Sequence, residues 1–178
     1  MLFRSAEKDP TYTLLLPFMQ ELFPDALYVH LVRDGHDVVA SYRDRWGWRS
    51  AARVARGEWQ RYVLAARALA DGPTADRYHE LRYEALVAEP EATLRPLFDF
   101  LGEPWDPAVL RFDEQEHSAT DRYRRFTAER RREGGEETAI YRSRVGAGAS
   151  GLDPVLRMLL HRSSGALLRE LGYLDGGR

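Results

Sequence analysis

Apolar positions along this chain follow two different periods, which predicts a mixture of helices and strands. The run at 27–32 is almost continuously apolar, as is typical of a parallel strand covered on both faces. Apolar residues recur at helical spacing in 14–22, in 46–71 and after Pro90, while alternation at 79–83 predicts a second strand. Alternating strands and helices favour the α/β class, as a three-layer α/β/α domain around a parallel sheet.

Turn and cap residues set the ends of these elements. Asp153 and Pro154 suit the N-cap and first position of a last helix that runs to about Leu171. Gly102 ends the helix that Pro90 opens. Because no repeat or linker interrupts the pattern, we expect 1–178 to form a single domain.

The junction after the first strand carries the clearest chemical signal. Residues 33–41 read RDGHDVVAS, in which Asp37 occupies a predicted N-cap ahead of a helix. A helix N-terminus offers free N–H groups, and the Arg33 guanidinium suits a phosphate or sulfate. Ser41 lies one to two turns into the helix, within reach of the same anion. An Arg–Asp ion pair with a solvent-facing serine is the alternative interpretation.

Composition narrows the class of protein. The 178 residues include no cysteine and carry a net charge of −2, so we expect neither a disulfide framework nor a drive toward nucleic acid. No apolar run reaches the roughly 20 residues of a membrane span, and no signal peptide is evident, which favours a cytoplasmic protein without membrane contact. No histidine and carboxylate group has metal-ligand spacing, so we expect no metal.

Lysine is almost absent from the chain. Of the 26 basic residues only Lys8 is lysine, which leaves 25 arginines and indicates a coding bias such as that of a GC-rich genome. Lysine is a compact point charge, whereas arginine spreads its charge over a plane. A position that requires the compact charge would resist this bias, which makes Lys8 a candidate functional residue.

Four segments, in the same order, resemble sulfotransferases of bacterial type that use 3′-phosphoadenosine 5′-phosphosulfate (PAPS). They are EKDP at 7–10, the Arg-Asp-Gly-x-Asp-x-x-x-Ser run at 33–41, RYEAL at 82–86 and FLGEPW at 100–105. The resemblance extends over about residues 5 to 175. It implies a P-loop NTPase-like sulfotransferase fold and transfer of a sulfuryl group from PAPS, as co-substrate, to an acceptor hydroxyl or amine without a metal.

The resemblance also implies roles for particular residues. Glu7 is implied as the base that takes the acceptor proton, and Lys8 as the charge that neutralises the sulfuryl or bridging oxygen. Arg33 and Ser41 are implied as ligands of the donor 3′-phosphate, and Tyr83 as a neighbour of the adenine.

A second set of implied residues lies elsewhere in the chain. Arg144 and Gly146 belong to an SRVG segment similar to one that closes over the 3′-phosphate, although the small residues that follow, 146–151, predict a flexible stretch. Glu84 is expected to cap or orient its neighbours. His36 stands where a basic residue is frequent, and each remaining histidine is expected to be structural or at the surface.

One departure from the family pattern concerns the 5′-phosphosulfate. No strand and Gly-rich loop precede Glu7, and no Gly-rich loop opens a helix anywhere in the chain. We therefore expect one of three kinds of protein: a truncated enzyme, half of a split enzyme, or a non-catalytic relative that binds a nucleotide or a partner. A missing strand would expose sheet edge and apolar surface, so we expect a homo-oligomer, a complementing N-terminal segment or poor stability. A nucleotide kinase is disfavoured because the phosphate-binding motif of kinases is absent.

The acceptor is the least determined partner. Loops at 45–58 and 113–142 are expected to form its pocket, with the charged run from Asp113 to Glu137 as a lid. A small-molecule or saccharide acceptor is expected.

Overall fold

The computed structural model describes residues 6–111 and 145–174. The predicted lid, the whole of the predicted acceptor loop at 113–142 and Arg144 lie outside the described residues. In chain order the elements are a 3₁₀ helix (Pro10–Leu15), α1 (Leu16–Leu22), β1 (Tyr28–Val32), α2 (Gly35–Trp46), α3 (Trp48–Arg53), a π-helical turn (Val54–Glu58), α4 (Trp59–Arg67), a 3₁₀ turn (Ala75–Arg77), β2 (Tyr78–Arg82), α5 (Tyr83–Ala88), α6 (Pro90–Leu101), a 3₁₀ helix (Pro107–Arg111), α7 (Ala147–Gly151) and α8 (Pro154–Glu170).

The two described strands form a parallel sheet, as the sequence predicts. β1 pairs with β2 in a register that places Tyr28 opposite Tyr78, and helices α2 to α4 form the crossover between them. The expectation that β1 is covered on both faces is wrong for one of them. Val29 and Leu31 on that face are 46% and 49% exposed, whereas Val32 on the other face is buried.

The core lies on the covered face of β1, where helices α2, α3, α4 and α8 meet. Its buried apolar residues include Val32, Val39, Ala51, Ala52, Trp59, Val63, Leu156, Leu160, Leu167 and Leu168. Helix α8 contributes the largest share of these side chains. The core therefore packs α2 firmly against the C-terminal helix, and the first turn of α2 lies at its edge.

The single long helix predicted over 46–71 is interrupted twice. Gly47 adopts φ +81° between α2 and α3, and Gly57 adopts φ +121° between α3 and α4. Both values lie in the left-handed region, which glycine enters without steric cost. The helical period is continuous across the segment, but the two glycines redirect the chain and wrap it around α8.

The predicted caps of the last helices are confirmed. The Asp153 carboxylate accepts hydrogen bonds from the backbone N–H groups of Val155 and Leu156, and Pro154 is the first residue of α8. Pro90 opens α6, which ends at Gly102 in the left-handed conformation.

Candidate functional site

Helix α2 is capped by Asp34, so the prediction of Asp37 as its N-cap is wrong by three residues. The Asp34 carboxylate accepts a hydrogen bond from the His36 N–H at 2.9 Å, and the helix begins at Gly35. A Cβ at Gly35 would lie 3.1 Å from the Trp59 ring. Both aspartates suit a cap in sequence, and this close packing of the first helical residue selects the earlier one.

The Asp37 carboxylate is buried inside the first turn of α2. Its Oδ1 accepts a hydrogen bond from the Gly148 N–H at 2.7 Å, and its Oδ2 accepts one from the Gly146 N–H at 3.0 Å. The Arg33 Nη2 lies 3.4 Å from the same Oδ2. Glycine backbone therefore lies against the start of α2, and the N–H of His36 is taken by the Asp34 carboxylate.

The glycine segment, residues 146–151, approaches α2 so closely that a side chain at Gly148 would not fit. A Cβ at Gly148 would lie 2.3 Å from the carbonyl carbon and oxygen of His36. Gly146 adopts φ +75° and precedes α7, and the Gly151 carbonyl accepts a hydrogen bond from Arg43 Nη1 at 3.0 Å. The predicted flexible stretch is thus a short helix packed on α2, and a Gly-rich segment does open a helix in this chain.

Arg33 contacts Trp59, Tyr83 and Asp37. Its carbonyl accepts a hydrogen bond from the Trp59 indole N–H at 3.1 Å, and its guanidinium lies 4.5 Å from the centre of the Tyr83 ring. The ion pair with Asp37 is the third contact, which matches the alternative interpretation of the motif. The Arg33 side chain stays 23% exposed and is accessible to a ligand. We call Arg33, Asp37, Tyr83 and Gly146 the Arg33 cluster.

Three of the predicted donor-binding residues, Arg33, Tyr83 and Gly146, meet in this cluster. Tyr83 is the first residue of α5 rather than the end of β2, which places its ring beside Arg33. Ser41 is half-buried and lies one helical turn beyond Asp37 on the same face of α2. Arg144 lies outside the described residues.

Glu84 joins the ends of the two strands to the C-terminal helix. One carboxylate oxygen accepts a hydrogen bond from the Asp34 N–H at 2.9 Å, and the other accepts one from the Tyr173 hydroxyl at 2.8 Å. Burial, together with this hydrogen bond, raises the pKa of Tyr173. The prediction that Glu84 orients its neighbours is confirmed.

Two histidines form a pair that sequence reasoning missed. The Nε2 atoms of His36 and His161 are 2.8 Å apart, and His36 Nδ1 is 2.8 Å from an Asp34 carboxylate oxygen. Burial lowers the pKa of His161, and His36 lowers it further. The residues are separated by 125 positions, so no local pattern could have indicated the pair. The pair links the first turn of α2 to α8 and confirms the structural role expected of His161.

Glu7 and Lys8 lie apart from these contacts. Both side chains are exposed, in the extended chain before the first 3₁₀ helix. Within 6–111 and 145–174 neither makes a hydrogen bond or ion pair, so no contact joins them to the Arg33 cluster. The adjacent Asp9 caps the 3₁₀ helix by accepting hydrogen bonds from the N–H and hydroxyl of Thr11, which lower the pKa of Asp9.

Two further properties concern only the part of the chain that the structure describes. It holds no group of three or more histidine, aspartate or glutamate side chains placed to bind a metal ion. None of its helices combines the length and the apolar character that crossing a membrane requires.

A sequence model of the Sulfotransferase family matches residues 3–107, which is more than half of the chain. The matched region contains β1, the Arg33 motif and α5. The chain belongs to the Sulfotransferase family. The predicted resemblance to sulfotransferases is thereby confirmed, and the α/β fold class with it.

Curated relatives of this sulfotransferase-family chain include enzymes with two kinds of named acceptor. It is 32% identical over 116 residues to a protein-tyrosine sulfotransferase of Drosophila melanogaster, a match that covers 62% of the chain and 23% of the relative. It is 33% identical over 112 residues to the omega-hydroxy-beta-dihydromenaquinone-9 sulfotransferase Stf3 of Mycobacterium tuberculosis, covering 53% of the chain and 28% of the relative. The matches thus span about a quarter of each relative's length.

Solved structures show the same fold. The sulfotransferase domain from the Synechococcus PCC 7002 olefin synthase superposes with a TM-score of 0.71 at 23% identity, over 96% of the chain and 58% of that domain. The sulfotransferase domain from the curacin biosynthetic pathway gives a TM-score of 0.70 at 23% identity, over 90% of the chain and 61% of that domain.

Proposed function

We propose that this chain binds the 3′-phosphoadenosine moiety of PAPS and takes part in transfer of its sulfuryl group to an acceptor hydroxyl or amine. Membership of the Sulfotransferase family supports the reaction class. The observation that carries the choice of donor is the Arg33 cluster. In it three residues from separate segments, which the resemblance assigns to donor binding, make contact with one another or with one shared carboxylate.

The chemistry of the cluster suits a nucleotide 3′-phosphate. Arg33 presents a planar guanidinium on a side chain that is 23% exposed, and Ser41 offers a hydroxyl one turn beyond Asp37 on the same helix face. The Tyr83 ring beside Arg33 provides an aromatic surface for the adenine. Because α8 and Trp59 hold this edge of the sheet, the phosphate ligands are positioned before the nucleotide binds.

Glu7 and Lys8 are proposed for the reacting end of the donor. In the proposed reaction the acceptor oxygen forms a bond to sulfur while the bond from sulfur to the bridging oxygen of the phosphosulfate breaks. Glu7 takes the acceptor proton, and Lys8 neutralises the negative charge that develops on the bridging oxygen. The products are a sulfated acceptor and 3′-phosphoadenosine 5′-phosphate.

The acceptor is proposed to carry a hydroxyl. The names of the relatives describe a tyrosine in proteins and an ω-hydroxyl of a menaquinone, which are a phenol and an alcohol. A small molecule, a saccharide and a peptide all present such a group. The segment predicted to be an acceptor loop at 45–58 is largely helical, and the exposed indoles of Trp46 and Trp48 at the junction of α2 and α3 offer an aromatic surface for the acceptor.

A second candidate function is that of a non-catalytic module that binds a nucleotide or a partner. The observation that favours it is the state of Glu7 and Lys8, which are exposed and held by no contact within the described residues. The two candidates share the Arg33 cluster and differ in their need for Lys8.

Calorimetric titration with 3′-phosphoadenosine 5′-phosphate tests the donor site. The wild-type chain should bind the nucleotide, and Arg33→Ala should lose most of that affinity. Arg95→Ala is a matched control, because Arg95 also pairs with a carboxylate four residues away and stacks on an aromatic ring, but on the exposed surface of α6. Equal affinity of wild type and Arg33→Ala would refute the donor site.

Sulfuryl transfer from PAPS to a panel of phenol and alcohol acceptors separates the two candidates. If the chain is catalytic, Lys8→Ala should abolish transfer while nucleotide affinity stays near that of the wild type. Full transfer by Lys8→Ala would refute the role of Lys8. Nucleotide binding without transfer to any acceptor would favour the non-catalytic module.

A further inference from the structure

The Asp37 carboxylate is held by hydrogen bonds from the glycine segment, although Asp37 and that segment are distant in sequence. It is fully buried, and each oxygen accepts a hydrogen bond from a different backbone N–H, at 2.7 Å from Gly148 and 3.0 Å from Gly146. A buried carboxylate is stable only when donors surround it. Here two of the donors come from a segment more than one hundred residues away.

The same carboxylate also orients Arg33. Its Oδ2 lies 3.4 Å from Arg33 Nη2, across one turn of chain, while Tyr83 lies against the guanidinium at 4.5 Å. Asp37 therefore contacts both the glycine segment and the arginine proposed to bind the 3′-phosphate. Ser41 follows one turn later on the same helix face.

We propose that Asp37 is a positioning residue, which holds the Gly146–Gly148 segment and the Arg33 side chain in the arrangement that binds the donor 3′-phosphate. Asp37 does not itself contact the nucleotide. This inference rests on the proposed function, because it assigns Asp37 to the donor site named there. The fit of the segment supports it, since the missing side chain of Gly148 lets the backbone reach the carboxylate.

Asp37→Asn tests the inference with little change in size. In the amide one of the two oxygens becomes an NH2 donor, so one of the N–H groups of Gly146 and Gly148 faces another donor and loses its acceptor. Asp153→Asn is the matched control, because the Asp153 carboxylate also accepts hydrogen bonds from two backbone N–H groups, but at the start of α8. If Asp37→Asn does not fold, Asp37→Glu keeps the charge and displaces it by one methylene.

Two measurements distinguish positioning from simple structural support. The first is amide hydrogen exchange at Gly146 and Gly148, which should become faster in Asp37→Asn and stay unchanged in Asp153→Asn. The second is the ratio of the affinities for 3′-phosphoadenosine 5′-phosphate and adenosine 5′-phosphate, which reports the 3′-phosphate alone. That ratio should fall about tenfold, the factor for losing one hydrogen bond to a charged group.

Each outcome decides a different point. Unchanged exchange in Asp37→Asn would overturn the attachment of the glycine segment by Asp37. Faster exchange with an unchanged affinity ratio would overturn the positioning role and leave the proposed function intact. A higher ratio would show that Asp37 competes with the phosphate, which also overturns it. A wild-type chain without preference for the 3′-phosphate would refute the proposed function, and the positioning role with it.

Discussion

Two regions of the sheet differ in how many polar contacts their side chains make. They are the ends of β1 and β2, which we call the partnered side, and the exposed face of β1, which we call the apolar side. At the ends of β1 and β2, Asp37 and Glu84 each accept hydrogen bonds from two groups that are distant in sequence, and Asp34 accepts one from the backbone N–H of His36. On the exposed face of β1, Val29 and Leu31 are about half exposed. One side is preorganised by buried polar contacts, and the other presents apolar surface to solvent.

This difference separates two halves of the proposed reaction. The residues proposed for the 3′-phosphate lie on the partnered side, where the core and α8 hold them. Glu7 and Lys8, proposed for the sulfuryl group, lie in an exposed segment before α1. Donor recognition by the described residues is therefore expected to survive changes on the apolar side, whereas transfer is expected to depend on what orders the segment around Lys8.

The largest expected effect contrasts one leucine from each side. Leu160 is completely buried, so Leu160→Ala should lower the free energy of unfolding by about 2–5 kcal/mol. Leu31 is 49% exposed, so Leu31→Ala should change it by about 0.5 kcal/mol or less. Chemical denaturation measures both. A large loss in Leu31→Ala would show that its face is covered in solution.

Gly148→Ala should disrupt the partnered side directly. The added methyl group would lie 2.3 Å from the His36 carbonyl, so the glycine segment must move away from α2. Overpacking of this kind costs about 1–3 kcal/mol and should also weaken binding of 3′-phosphoadenosine 5′-phosphate. Gly151→Ala is the control in the same segment, because a Cβ there meets no atom within 4 Å. Equal behaviour of the two variants would contradict the close packing.

The apolar side is expected to cause self-association. Exposed Val29 and Leu31 favour burial against a second copy of the chain, and β1 offers an edge that no described strand pairs. Light scattering should therefore show a species larger than a monomer at micromolar concentration, and Val29→Glu should shift it toward the monomer. A wild-type monomer that stays folded would refute this expectation.

The smallest expected effect is on the pH dependence of stability. Because the pKa of His161 is lowered below 6.5 in the folded chain, the unfolded chain binds more protons between that lowered value and pH 6.5. Stability should therefore decrease as the pH falls through this range, and His161→Gln should reduce the decrease. His79→Gln is the control, because His79 stacks on Phe100. Parallel pH profiles for wild type and His161→Gln would contradict the assignment.

Much of the fold could be predicted from local patterns. The parallel strands, the α6 and α8 caps and the resemblance to sulfotransferases each follow from short segments of sequence. The N-cap of α2 could not be assigned, since Asp34 and Asp37 both precede a helical run and only tertiary packing at Gly35 distinguishes them. The exposure of Val29 and Leu31 was missed for a similar reason, because apolarity does not show whether a neighbour covers a strand.

The candidate site was predictable in its residues but not in its connections. Arg33, Tyr83 and Gly146 were identified separately, and the structure adds the contacts that bring them together. Asp37 as the shared acceptor and the pairing of His36 with His161 depend on contacts between residues more than one hundred positions apart. Contacts of that kind leave no periodic or spacing signal.

The most direct test of the account is a crystal structure of the chain with 3′-phosphoadenosine 5′-phosphate. The account predicts that the 3′-phosphate lies within hydrogen-bond distance of Arg33 and Ser41, with the adenine beside Tyr83 and the Asp37 bonds to Gly146 and Gly148 retained. A nucleotide bound elsewhere, or a 3′-phosphate that contacts neither Arg33 nor Ser41, would contradict it.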